Sequence, residues 1–213
     1  MKTLLHVGCG HSSMADLPKY LHNGQWDEVR YDIDPAVSPD IVGTTQDMSL
    51  IEDGSIDAVY SSHNIEHIWA FEVPGVLAEF RRVLAPSGFA MILCPDILSV
   101  AQAITEGYLN KPVYLSPAGP ITALDILYGY HHDLARGNLY MAHKTAFTAE
   151  TLGEHLTKAG FGAVSIGRDR VLGLHALAHR QRLSEAAASE MAEALLPERQ
   201  HLIELIQYHL PAA

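Results

Sequence analysis

The chain has 213 residues, 48% hydrophobic and 18% charged, which suits one globular α/β domain carrying an insertion. Its 14 basic against 25 acidic residues give a formal charge of −11 with no Lys/Arg cluster, which argues against nucleic acid gripped through its phosphates. Two cysteines imply no disulfide framework, the N-terminal apolar run is too short for a signal peptide, and no stretch is long enough to span a membrane, so the expected setting is the cytoplasm.

Leu4-Leu5-His6-Val7 reads as a buried parallel strand that stops at the turn Gly8-Cys9-Gly10. Ser12 and Ser13 can cap a short helix covering Leu17, Tyr20 and Leu21, made brief by Pro18. Val29–Ile33 is a second strand stopped by Asp34-Pro35, Ile41-Val42 a third, and Ile56–Tyr60 a fourth. Val73, Val76, Leu77, Phe80, Val83 and Leu84 share a helical face, and Phe89–Leu93 is the fifth strand. Residues 97 to 145 break the rhythm with Pro112, Pro117 and Pro120, several tyrosines and three histidines, and read as a cover of short helices and loops. Thr148 then caps a helix to about Lys158, ended by Gly160, and Val164–Ile166 and Leu174–Ala178 are the last two strands, antiparallel to one another. From Ser184 on the chain reads as helical, interrupted at Pro197. The expectation is one domain: a core of residues 1–96 and 146–180, a cover insertion 97–145, and C-terminal helices 183–210 that permit a homodimer.

Three features point to a nucleoside cofactor. Gly8-Cys9-Gly10 follows a buried strand, where glycines let the backbone turn sharply and approach a ligand, and a helix start offers N–H groups to an anion. Asp32, 22 residues after Gly10 at the end of the next strand, can accept from both ribose hydroxyls. Asp34 competes for that role but reads as part of the Asp34-Pro35 turn. Asp47 can accept from an adenine amino group, and Met48 can cover the ring face. Taken singly, a glycine turn or a strand-end Asp is more often a plain turn former; the joint occurrence on three successive strands is what carries the reading.

Leu5-His6-Val7-Gly8-Cys9-Gly10 resembles the first motif of class I S-adenosylmethionine-dependent methyltransferases. Tyr31-Asp32-Ile33-Asp34-Pro35 resembles their ribose-binding segment, Ser55 to Ile68 their fourth-strand motif, and Glu79 to Gly88 the helix and turn before strand five. The resemblance implies a Rossmann-like, doubly wound sheet of seven mostly parallel strands with an antiparallel strand at one edge. It implies S-adenosylmethionine as cofactor, contacted by Gly8, Cys9, Gly10, Asp32, Ile33, Asp47, Met48, Ser62 and His63. Ser12 replaces a glycine frequent in the family. Ser13 stands where the dinucleotide fingerprint needs glycine, which disfavours an NAD-dependent oxidoreductase. An inactive S-adenosylmethionine-binding regulatory protein is the alternative to an enzyme.

His63-Asn64-Ile65-Glu66-His67 fits the inverted zinc-protease spacing, and on a helix its histidines would share a face. Its context, directly after a strand and without a second ligand motif, argues against a protease, and no metal is assigned. Methyl transfer needs alignment, exclusion of water and, for a protonated nucleophile, a base. His63 and His143 are the candidates. His131 and His132 read as structural histidines, and Cys9 and Cys94 as buried small residues. The acidic balance favours a small-molecule acceptor whose identity is not legible.

Overall fold

The computed structural model describes residues 1–196, the side chain of Tyr20 excepted, and the backbone of residues 202–209. The strands are β1 (Lys2–Val7), β2 (Trp26–Asp32), β3 (Ile41–Val42), β4 (Ile56–Ser62), β5 (Leu84–Pro95), β6 (Pro112–Ser116), β7 (Gly119–Thr122), β8 (Ala163–Asp169), β9 (Gly173–His179) and β10 (Leu202–His209). The helices are α1 (Val73–Val83), α2 (Ile97–Thr105), α3 (Ala123–Tyr128), α4 (His131–Ala135), α5 (Ala149–Lys158) and α6 (Glu185–Leu195). The main sheet runs β10-β8-β9-β5-β4-β1-β2-β3. From β3 to β5 all neighbours are parallel, whereas β9 runs against both β5 and β8. The strand order reverses between β1 and β4, and in open α/β sheets a crevice forms beyond the carboxyl ends at such a point.

The seven strands expected from sequence all form. Leu4, Leu5 and Val7 have no solvent exposure, as a strand covered on both faces requires. One core cluster packs α1 and α5 on the sheet through Leu77, Phe80, Leu152 and Leu156. The other covers the opposite face through Leu17, Leu21, Met91 and Ala192 of α6. Pro74 sits in the first turn of α1, where its missing N–H costs nothing. Thr148 caps α5 by accepting from the Thr151 N–H.

Three segments depart from expectation. After the glycine turn there are two single 3₁₀ turns, Met14–Asp16 and Lys19–Leu21, instead of a helix, because Pro18 separates them. The cover contains a β6–β7 hairpin and a small core of its own, with Val100, Ile121, Ala123 and Ile126 packed by Tyr114 and Tyr130. The segment after α6 was expected to be a second helix, and it is the strand β10, antiparallel to β8. Apolar pairs at 202–203 and 205–206 suit either period, and the open edge of β8 decides the outcome by offering backbone partners.

Candidate functional site

A crevice opens beyond the carboxyl ends of β1, β2 and β4. Gly8 and Gly10 hold positive φ values of 66° and 52°, which glycine adopts without steric cost. A Cβ on Gly8 would lie 2.6 Å from the Asn64 side chain, so the turn has no room for any other residue. Asp32, 9% exposed, accepts from the Gly10 N–H through Oδ2 at 2.8 Å and from the Asp34 N–H through Oδ1 at 2.9 Å. Lone pairs remain on both oxygens, so the carboxylate fixes the turn and still faces the crevice. Asp34 caps the next turn by accepting from the Ala36 N–H, as its position before Pro35 suggested.

Two residues not singled out in the sequence shape this wall. Arg30 donates to the carbonyls of Gly10, Ser12, Val37 and Ser38, which clamps the glycine turn to the turn after β2. Buried Tyr31 donates to the Thr44 and Asp47 carbonyls, and burial together with nearby Asp47 pushes its pKa up to about 12. A Cβ on Gly43 would overlap the Tyr31 hydroxyl, so glycine is required for this approach. Gly43, Thr44, Thr45 and Gln46 line the crevice as a result.

Of the expected cofactor residues, the structure brings Gly8, Gly10, Asp32, Ile33 and His63 to the crevice. Cys9 lies buried behind the turn. Asp47 is exposed and turned outward, accepting from the Ser49 N–H at 3.0 Å. Met48 is wholly buried in the main core and is not placed to cover a ring in the crevice. Ser62 is not among the residues that line it. The N–H groups expected to receive an anion are engaged within the turn: those of Gly8 and Cys9 donate to the Tyr31 carbonyl, and that of Ser12 to the Cys9 carbonyl.

His63 closes the crevice at its other end. It follows β4 with φ 49°, a left-handed conformation uncommon for a residue with a Cβ, and its N–H donates to the Leu93 carbonyl. His63 also lines a second recess with Tyr114, Ile126, Asp169, Leu172 and His175. His175 Nε2 and Asp169 form a 2.7 Å pair there. His63 Nδ1 lies 3.3 Å from Glu66 Oε1. Desolvation pulls the His63 pKa down, but the Glu66 carboxylate outweighs it and the net direction is up. From the cover, Asn138, Tyr140, Met141 and Lys144 complete the crevice, and Lys144 is its only Lys or Arg among the described residues. His143 lines neither recess. Its Nδ1 donates to the Ile126 carbonyl at 2.7 Å, and its ring stands edge-on to His67 with centroids 4.8 Å apart. His131 is held by Asp125, in the structural role expected of it. Cys94 is buried, and burial raises its thiol pKa.

Residues 5–92 match the methyltransferase-domain family. No curated protein matches the chain in sequence. Among solved structures, an S-adenosylmethionine-dependent methyltransferase from Methanosarcina mazei superposes with a TM-score of 0.55 at 14% identity, over 85% of this chain and 93% of that one. A second from Archaeoglobus fulgidus gives 0.53 at 14% identity, over 84% and 86%. The 1,6-didemethyltoxoflavin-N1-methyltransferase of Burkholderia thailandensis, with 1,6-didemethyltoxoflavin and S-adenosylhomocysteine bound, gives 0.53 at 15% identity, over 84% and 71%. At these identities the likeness is one of fold, while the family match falls on the strands and turns that build the crevice. Residues 5–92 thus match a methyltransferase domain, and the chain as a whole shares the fold of these S-adenosylmethionine-dependent methyltransferases.

Proposed function

We propose that the protein methylates a small molecule seated in the recess beyond His63. The observation that carries this reading is that His63 lines both the crevice and the second recess, so one residue borders both the donor and the acceptor sites. The crevice residues fit the cofactor. The glycine turn leaves the floor free of side chains, Asp32 offers acceptor lone pairs to ribose hydroxyls, and Lys144 offers a cation to the carboxylate of the methionine tail. The outward turn of Asp47 and the burial of Met48 leave the adenine end to Ile33 and the loop Gly43–Gln46.

The bound cofactor supplies a methyl group on a sulfonium, ready for in-line displacement. His63, which borders both recesses, takes the proton of an acceptor heteroatom. His143, the other candidate base, acts only through its contact with His67 and the Glu66 turn. The net charge of −11 and a recess walled by the Asp169–His175 pair support a small polar acceptor, and one structural neighbour holds 1,6-didemethyltoxoflavin. Both cysteines are free, in keeping with a cytoplasmic setting.

Release of S-adenosylhomocysteine across a panel of hydroxylated and heterocyclic acceptors tests the reading. With the best acceptor, His63→Gln should lower kcat by about 10²-fold or more, with cofactor affinity within about threefold of wild type. Undiminished kcat in His63→Gln would remove the ring from the chemistry.

A further inference from the structure

The Glu66 carboxylate is 1% exposed, and neither oxygen has a hydrogen-bond partner of proper geometry. The His63 ring stands 3.3 Å from one of them. A buried carboxylate left so is costly unless something else satisfies it. Beside it stand His67 and His143, and one ligand atom from each of the three residues lies within 4.8 Å of the others. We propose that Glu66, His67 and His143 form a binding site for a divalent transition-metal ion of the zinc class, set in the wall between the core and the cover.

The chain builds this site from two distant segments. The H-x-x-E-H spacing, set aside above as a protease signature, does not lie on an α-helix. Residues Ile65–His67 form a single 3₁₀ turn after β4, which turns Glu66 inward. The cover returns at this point: the N–H groups of Lys144 and Thr145 both donate to the Glu66 carbonyl, at 2.8 and 3.2 Å. That pairing sets His143 beside His67. Each ring is oriented by a backbone carbonyl, His67 Nδ1 by Ala142 at 3.2 Å and His143 Nδ1 by Ile126 at 2.7 Å. A carbonyl only accepts, so Nδ1 of each ring carries a proton, and in the neutral ring Nε2 keeps the lone pair a metal needs, the arrangement typical of metal-bound histidine. Two imidazoles and a carboxylate suit zinc and its neighbours better than magnesium or calcium, which prefer oxygen. Zinc–donor bonds of about 2.0–2.1 Å would place the donors about 3.3 Å apart, a contraction that side-chain torsions can supply. Three protein ligands leave a fourth position open.

The ion would satisfy the orphaned carboxylate and pin the cover to the core, whichever acceptor the enzyme uses. The test is metal uptake by the purified, chelator-stripped full chain. Dialysis against Zn²⁺ followed by elemental analysis should return about one equivalent per chain, and Co²⁺ should give visible d–d bands of a low-coordinate site. His143→Ala and Glu66→Gln should each weaken Zn²⁺ binding by about 100-fold or more, while a His131→Ala/His132→Ala double variant binds as wild type. A retained thermal shift with S-adenosylmethionine shows that a variant has folded. His143→Ala, whose ring is only partly buried, serves if Glu66→Gln fails to fold. Wild-type protein that takes up neither ion, or His143→Ala that binds Zn²⁺ and Co²⁺ as wild type does, overturns the site.

Discussion

The two ends of the crevice are built by different means. Along β1, β2 and the turn before β3, the parts are close in sequence: Asp32 grips Gly10 across 22 residues, and Arg30 clamps Gly10, Ser12, Val37 and Ser38. At the other end the parts are remote: His67 meets the Ala142 carbonyl across 75 residues, and Lys144 enters from the cover. The first end is a matter of backbone shape, fixed by glycines and a strand-end carboxylate. The second is a matter of docking one segment on another.

The largest expected effect separates two carboxylates at the backbone-built end. Asp32 both holds the turn and faces the crevice, whereas Asp34 is spent on a cap. Asp32→Ala should therefore weaken S-adenosylmethionine binding about 100-fold or more, through two lost charge-assisted hydrogen bonds and a loosened turn, by calorimetric titration. Asp34→Ala should cost less than about fivefold, since a lost cap is worth about 1 kcal/mol of stability. Equal losses from the two would mean that the ribose is held from the turn after β2.

Buried histidines sharpen the contrast further. His6, on β1, is lowered in pKa by desolvation but keeps a 2.8 Å contact with Glu28, which opposes the shift. His179, on β9, is 4% exposed, its Nε2 has no hydrogen-bond partner, and burial brings its pKa down to about 4. The unfolded chain takes up that proton near 6.5. Between these values the unfolded state binds more protons, so stability is full above about pH 6.5 and falls as pH drops toward 4. The gap corresponds to about 3 kcal/mol of stability lost by pH 4. Urea unfolding at pH 7 and pH 4.5 should show this loss in wild type and a clearly smaller one in His179→Leu. An identical acid loss in that variant would place the sensitivity elsewhere, with the paired histidines next in line.

A smaller effect probes the docked end. Lys144 is the sole Lys or Arg of the crevice among the described residues, and its ammonium lies 5.6 Å over the Trp69 ring. Lys144→Met should weaken S-adenosylmethionine binding by about tenfold, the worth of one partly exposed charge-assisted contact. It should leave 5′-methylthioadenosine, which lacks the carboxylate, unchanged. An equal loss for both ligands would mean that Lys144 only holds the cover in place.

What was legible in the sequence follows the same division. Strands with unbroken apolar runs, the Gly8-Cys9-Gly10 turn and Asp32 are dictated locally, so their positions were readable. Arg30 and Tyr31 were not, since nothing in a strand's own residues shows which distant carbonyls a long polar side chain will reach. The β6–β7 hairpin was hidden by prolines that also suit loops, and β10 by apolar pairs that fit two periods. The meeting of Glu66 with His143 depends on the register of cover against core, which no spacing encodes.

The smallest expected effect tests a place where the local reading and the structure part. Asp47-Met48 stands after β3, where an acidic residue and a thioether suit an adenine. The backbone decides otherwise. A bridge between Thr44 and Asp47 folds the loop back, Tyr31 ties both carbonyls from beneath, and the Met48 N–H donates to Glu79. Asp47 then points to solvent and Met48 into the core, while Gly43 to Gln46 face the crevice. Asp47→Ala should therefore change S-adenosylmethionine affinity by no more than about twofold, the range of an ordinary surface substitution. Gln46→Ala, on the same loop but lining the crevice, should have the larger effect of the two. A loss of tenfold or more in Asp47→Ala would show that the loop turns over when the cofactor binds and that the adenine end is not preformed.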